Sequence, residues 1–338
     1  MKFLITGGAG FTGINAARGF IDAGHEVIIF DNFSRGGCDR NLDWLREQAE
    51  FELVKGDVRD FYQVRSCFFD HEDIDAVLHL AGQVAVTSSV INPREDFENN
   101  ALGTFNVCEV IRQFHPDTIL LYSSSNKVYG PMKDLEIVDK GRRYEYKDLA
   151  SGISEKRALD FYSPYGCSKG AGDQYVIDYA RIYGLRTAVF RQSCIYGPHQ
   201  FGMEDQGWVA WFVISAVLER PITIFGDGKQ TRDILYIDDL IDCYLKAAER
   251  IDDIKGSVYN IGGGGENVVS LLELISMLEG ILGKEINYEH GHWRPGDQKT
   301  FVCDVQKAYK DLSWKPKMKV AQGIKILTEW VKENKDIF

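Results

Sequence analysis

The chain begins with KFLITGGAGFTG, residues 2–13, and no other stretch restricts the fold as tightly. Phe3-Leu4-Ile5 is an apolar run of a length suited to a buried strand. Gly7, Gly10 and Gly13 follow, two residues between each, and Phe11 to Phe20 then shows helical spacing. Strand, glycine turn and helix in that order form a dinucleotide-binding fingerprint. The glycines permit a sharp turn and let a pyrophosphate approach the backbone, and the helix start offers it free N–H groups and a positive dipole end. A second apolar run, Val27-Ile28-Ile29-Phe30, ends in Asp31, 24 residues after Gly7. A carboxylate at that strand tip binds ribose hydroxyls and repels a 2′-phosphate, which favours NAD over NADP; Arg35 nearby leaves NADP open.

Further apolar runs at 51–54, 75–80, 118–123 and 186–191 alternate with helical patterns at 11–23, 41–49, 60–69, 94–114 and 165–183. This alternation predicts an α/β fold, a doubly wound parallel Rossmann sheet whose ligands bind at the carboxyl ends of its strands. Gly56-Asp57-Val58 follows one such strand and Ala81-Gly82-Gln83 another; Asp57 is placed to meet the adenine amino group. The pattern changes near residue 191. Aromatic residues crowd 201–212, glycines cluster at 226–228 and 262–265, and a helix at 269–282, a strand at 286–290, an Arg-Pro-Gly loop at 294–296 and a helix at 318–335 follow. The expected division is an NAD-binding domain of residues 1–191 plus 231–263, and a smaller discontinuous α/β lobe of 192–230 plus 264–338.

With 338 residues, 44% of them apolar and 26% charged, the chain has material for a large core. Its net charge is −11 and its basic residues do not cluster, which argues against nucleic acid or an anionic membrane as partner. The seven cysteines are scattered and form no CxxC pair, so neither a disulfide framework nor a metal site is expected, and the compartment reads as reducing and cytoplasmic. No apolar run approaches the ~20 residues of a membrane helix.

Tyr165-Gly166-Cys167-Ser168-Lys169 carries the chemistry. Residues four apart share a helix face. An ammonium beside a phenol, with a positively charged oxidised nicotinamide, favours the phenolate and makes Tyr165 a base for a sugar hydroxyl. The strand at 118–123 runs into Ser123-Ser124-Ser125-Asn126-Lys127-Val128-Tyr129-Gly130, hydroxyls placed to hydrogen-bond a reacting oxygen.

Together TGGAGFTG, Asp31, GDV, LAGQ, SSSNKVYG and YGCSK resemble the extended short-chain dehydrogenase/reductase family of nucleotide-sugar enzymes, and GDGKQTRD at 226–233 with Arg294-Pro295-Gly296-Asp297 extends the resemblance to the chain's second part. It implies tightly held NAD and a catalytic set of Ser125, Tyr165 and Lys169. On the coenzyme side it implies Gly7, Gly10, Phe11, Thr12, Asp31, Asn32, Ser34, Arg35, Asp57, Val58, Leu80, Ala81, Gly82, Gln83, Asn100 and Ser123, besides Tyr165 and Lys169. For the substrate it implies Arg232 and Arg294 on a sugar-nucleotide diphosphate and Asp297 near its ribose. Thr87, Ser88, Ser125, Asn126, Cys194, His199, Gln200 and Gln206 are the remaining candidate contacts.

Dehydratases of the family carry Asp-Glu after the Ser/Thr; Asn126-Lys127 here argues against dehydration. Cys194 stands where many members have Asn. The 40 residues between Ser125 and Tyr165 include an extra segment, roughly 131–160, that reads as a substrate lid or an oligomer contact. These features resemble the branch that inverts C2 of CDP-linked 3,6-dideoxyhexoses (CDP-paratose to CDP-tyvelose), or of CDP-glucose in relaxed members. The implied assembly is a homodimer or homotetramer. A UDP-sugar 4-epimerase, and a non-catalytic nucleotide-sugar sensor, remain the alternatives.

Overall fold

The computed structural model describes residues 1–294 and 297–338. The expected loop at 294–296 therefore has Pro295 and Gly296 outside the described residues. Seven strands form one parallel sheet: β1 (Lys2–Thr6), β2 (Glu26–Asp31), β3 (Glu52–Lys55), β4 (Ala76–His79), β5 (Ile119–Ser125), β6 (Thr187–Gln192) and β7 (Ser257–Ile261), in the order β7-β6-β5-β4-β1-β2-β3. The chain reverses its direction of winding at β1, which pairs with both β2 and β4. A crevice opens at such a point, outside the carboxyl ends of the strands.

Alternation along the strands feeds two cores. Phe3, Ile5, Val27, Ile29 and Leu78 pack with Ile14, Ala17 and Phe20 of helix Phe11–Asp22 and with Leu240 of helix Ile237–Glu249. Leu4, Ile28, Val77 and Leu120 point the other way, to Val64 and Phe68, Val107 and Ile111, and Val176 and Tyr179. Burying each large side chain contributes roughly 1.5–3 kcal/mol, so a polar residue at Leu4 or Ile5, both fully enclosed, breaks a layer. Gly7 sits at φ +69°, and a Cβ there would lie 2.8 Å from the Ala81 backbone; at Gly13 it would lie 2.4 Å from the Gly7 carbonyl. The turn after β1 therefore closes only with glycine at both positions.

Residues 231–236, grouped above with the first domain, belong to a separate small sheet. Thr231–Tyr236 pairs with Val268–Ser270, Thr300–Phe301 and Cys194–Tyr196. Helix Trp208–Val217, which no period announces, packs between helices Leu271–Leu282 and Val320–Glu333. It is apolar on every side, so it lacks the one-sided stripe that marks a surface helix. The expected helix 94–114 is Pro93–Phe97 and Gly103–Phe114 joined through one π-helical stretch, Glu98–Leu102.

The extra segment, expected as a substrate lid or an oligomer contact, is docked on the second part of the chain. Ile137–Asp139 and Tyr144–Tyr146 form a hairpin bound to the second part of the chain. Arg143 pairs with Glu273 at 2.8 Å, Arg142 reaches the Leu272 carbonyl at 2.9 Å, the Tyr144 N–H meets the Lys229 carbonyl at 2.9 Å, and Tyr146 donates to the Thr300 carbonyl at 3.0 Å. It works as a strap.

Candidate active site

The carboxyl ends of β1, β2, β4, β5 and β6 open into a cavity of about 500 Å³ whose far wall is built from residues within 194–212 and 223–232, with Arg294 and Asp297. At its coenzyme end, Gly10 precedes helix Phe11–Asp22 with no side chain capping the first turn and no acidic residue in it, leaving N–H groups and a positive helix end facing the cavity. A Cβ on Gly10 would find nothing nearer than the Gly7 carbonyl at 3.4 Å, so the loop leaves this side open to a ligand. Asp31, nearly buried, accepts N–H bonds from Ala9 at 3.0 Å and Phe33 at 2.8 Å while still lining the cavity. Burial raises its pKa against those bonds, and ribose hydroxyl donors suit such a carboxylate. Phe11, Thr12, Asn32, Ser34, Arg35, Val58, Leu80, Ala81, Gly82 and Ser123 line the same end. These features fit a dinucleotide.

Several expected contacts lie elsewhere. Asp57 does not line the cavity: it is paired with Arg59 at 2.6 Å and takes an N–H from Asn32, which hold its carboxyl down at about 2. Gln83 folds back on Ala85, and Asn100 sits behind Gly82, donating to the Gln83 carbonyl at 2.9 Å and to Asp96 at 3.0 Å. Ser88 is exposed on the far side of helix Val86–Ile91, because the helix turns Thr87 toward the cavity instead. Thr87 Oγ1 is buried without a hydrogen-bond partner among the described residues.

Helix Ser163–Tyr183 brings Tyr165 and Lys169 to the cavity on one face, opposite Ser125 at the end of β5. Both are almost fully enclosed. Burial pushes the Tyr165 phenol up to about 12, opposed by a hydrogen bond with Ser125 and reinforced by Asp96. Burial draws Lys169 down to about 8. Its ammonium lies 4.7 Å from the Tyr122 ring centre. Desolvation of the phenol dominates here, so the phenolate needs the positive charge of an oxidised nicotinamide beside Lys169, as expected from the sequence.

Beneath this pair lies a fixed polar network. Asp173, one turn beyond Lys169, takes two 2.8 Å bonds from Arg191 and a third at 2.8 Å from Ser124; Arg191 also donates to the Tyr129 hydroxyl at 3.1 Å. The network clamps the helix carrying Tyr165 to the strand carrying Ser125.

At the other end, Arg232 pairs with Asp297 at 2.7 Å. Arg294 pairs with Asp205 at 2.9 Å and lies 3.8 Å over the Phe225 ring. Cys194 takes the Trp208 indole N–H at 3.4 Å. Asn126, Gln200 and Gln206 line this region, and Gln200 Oε1 is buried without a partner among the described residues. His199 lines it too, wedged between Trp44 and Trp330 at 3.8 and 5.1 Å, and burial lowers it to about 4, so it is neutral. Asn99, Lys127, Gln192, Trp208 and Phe225 also face the cavity and were not singled out as contacts. Of these, Lys127 carried a signal, an ionisable residue two positions after Ser125 at a strand's carboxyl end.

Residues 3–262 match the model of the NAD dependent epimerase/dehydratase family. The chain is 44% identical to a CDP-paratose 2-epimerase of Salmonella typhi over 98% of its own length and 99% of that protein. It is 33% identical to a putative UDP-glucose 4-epimerase of Methanocaldococcus jannaschii over 98% of both. Among solved structures it superposes on the UDP-glucuronic acid 4-epimerase of Bacillus cereus, crystallised with UDP-glucuronic acid and NAD, at a TM-score of 0.85 and 28% identity, covering 99% of this chain and 100% of that one. The chain belongs to the NAD dependent epimerase/dehydratase family of extended short-chain dehydrogenases/reductases. It is an NAD-dependent epimerase.

Proposed function

We propose that the protein inverts C2 of a CDP-linked hexose, of the CDP-paratose to CDP-tyvelose type or CDP-glucose, through a transient 2-keto sugar. The observation carrying this reading is the end-to-end 44% identity with a CDP-paratose 2-epimerase; Asn126-Lys127 after Ser125, with no carboxylate pair, agrees with it. The lobe of 1–191 plus 231–263, less the small-sheet strand Thr231–Tyr236, holds the coenzyme, and that of 192–230 plus 264–338, with that strand, holds the nucleotide. Gly7, Gly10, Phe11, Thr12, Asp31, Asn32 and Ser34 hold NAD, which when bound supplies a hydride acceptor at the sugar carbon and a second positive charge near Tyr165.

In this mechanism Tyr165 takes the C2 hydroxyl proton as a phenolate and returns it after the sugar has turned about its diphosphate link. Ser125, which lines the cavity with Tyr165, holds the reacting oxygen. Lys169 stabilises the phenolate once that second charge helps to overcome the burial cost. Arg232, Arg294 and Asp297 seat the nucleotide, and Thr87, Asn126, His199, Gln200 and Gln206 surround the sugar. Bidentate guanidinium groups suit a diphosphate. The protein works in the cytoplasm as a homodimer or homotetramer.

Substrate carrying deuterium at C2 tests the reading: NMR of the product should show inversion at C2 with the label retained. Label lost to solvent, or inversion at C4, contradicts it. The second reading, a UDP-sugar 4-epimerase, draws on the 33% identity with a putative UDP-glucose 4-epimerase, and product analysis with UDP-glucose decides between them.

A further inference from the structure

At the substrate end of the cavity, Lys127 has no carboxylate of its own among the described residues. Lys127 lies in the single 3₁₀ turn Asn126–Tyr129 that follows Ser125, and its backbone N–H donates to Ser125 Oγ at 3.2 Å. Its side chain lines the cavity. Among the described residues its ammonium makes no ion pair and no hydrogen bond, while the other two cations of that end are engaged, Arg232 by Asp297 and Arg294 by Asp205. The charged and titratable groups facing Lys127 are Arg232, Asp297 and Cys194. Two cations therefore share one carboxylate. Cys194 adds no negative charge, since burial favours its neutral thiol, whose sulfur takes the Trp208 N–H.

A half-buried ammonium that shares its one carboxylate with an arginine is short of negative charge, and a ligand can supply it. We propose that Lys127 is a substrate-binding residue whose ammonium, next to Arg232, donates to a phosphate oxygen of the nucleotide diphosphate. This rests on the nucleotide-sugar reading above. The position joins the two halves of the site, because the same short turn fixes Ser125 Oγ at the reacting end and the cation at the phosphate end. Burial, with Arg232 as second cause, lowers Lys127 to about 8; a bound diphosphate opposes both and keeps the ammonium charged.

The test is calorimetric titration of the full-length, NAD-containing protein with CDP, UDP and cytidine at pH 7 and pH 9, for the natural protein, Lys127→Met and Lys127→Arg. A hydrogen bond between charged groups translates to a roughly 10- to 100-fold loss. Lys127→Met should weaken CDP and UDP alike by that factor and leave cytidine unchanged, with Lys127→Arg recovering most of the loss. The natural protein should bind both diphosphates less tightly at pH 9 than at pH 7, with proton uptake near pH 8, and Lys127→Met should show neither. Equal diphosphate affinity in the natural protein and Lys127→Met overturns the proposal. Should Lys127→Met not fold, Lys127→Gln carries the same comparison. A preference for UDP, or a product inverted at C4, would overturn the CDP 2-epimerase reading and leave the role of Lys127 standing. Failure of the natural protein to bind either diphosphate would overturn both.

Discussion

At Tyr165 two opposing effects meet on one hydroxyl. Burial holds the phenol protonated, at about 12, so the base exists only when positive charge is brought close to it. Lys169 is near but is itself drawn down to about 8. Removing the hydroxyl while keeping the ring separates these effects. Tyr165→Phe should reduce kcat by roughly 10²- to 10⁴-fold, the usual contribution of a positioned acid or base, while the purified protein keeps its full NAD content. Steady-state kinetics and the absorbance of released coenzyme check both parts. Loss of coenzyme along with activity would indicate a binding role instead. Residues of this kind were legible in the sequence, because Tyr-x-x-x-Lys and a serine run at a strand end have fixed spacing. Those that lie off the cavity, Asp57, Gln83, Asn100 and Ser88, have side-chain directions that depend on tertiary neighbours and on helix phase. Arg59 closes on Asp57, Asn100 tucks behind Gly82, and Thr87 rather than Ser88 takes the inward face.

The elements are held in register by polar contacts that no local pattern announces. The Asp173–Arg191 pair ties helix Ser163–Tyr183 to β6, and through Ser124 to β5. Both partners are fully buried, so removing one strands the other. Arg191→Met should destabilise the fold by about 3–5 kcal/mol, read as a lower midpoint in urea with an unchanged slope. An effect below 1 kcal/mol would mean the pair is not a clamp. The first six strands of the sheet were legible to within a residue or two, since short continuous apolar runs bounded by turn residues are local signals. Helix Trp208–Val217 and strand Ile222–Phe225 were not, the first because it is apolar on all sides and the second because its partner, Tyr288–Gly291, comes more than sixty residues later in the chain. The strap at 131–160 was visible as extra length, but its docking through Arg142, Arg143 and Tyr144 is tertiary information.

For the molecule as a whole, the buried histidines set the acid limit. Burial lowers His79 to about 3 and His199 to about 4. Between those values and the ordinary 6.5, the unfolded chain binds protons that the folded one refuses, so stability falls as pH drops through this interval. Asp57 and Glu109, held near 2 by Arg59 and Arg112, act in the same direction at lower pH, their contribution being lost only as pH falls below the usual carboxylate range. The thermal midpoint should therefore decline already between pH 6.5 and 5, before carboxylates titrate. A midpoint unchanged over that interval, measured by circular dichroism in one ionic strength, contradicts this account. The strap has a last consequence. Its hairpin tip carries Gly141, exposed at φ +87° with no atom within 4 Å of where a Cβ would stand. A chain cut there would leave Ser125 on one fragment and Tyr165, Lys169 and Arg232 on the other. Neither half could turn over sugar alone, and restored activity would report their reunion, which makes this loop a natural place to split the enzyme for a complementation reporter.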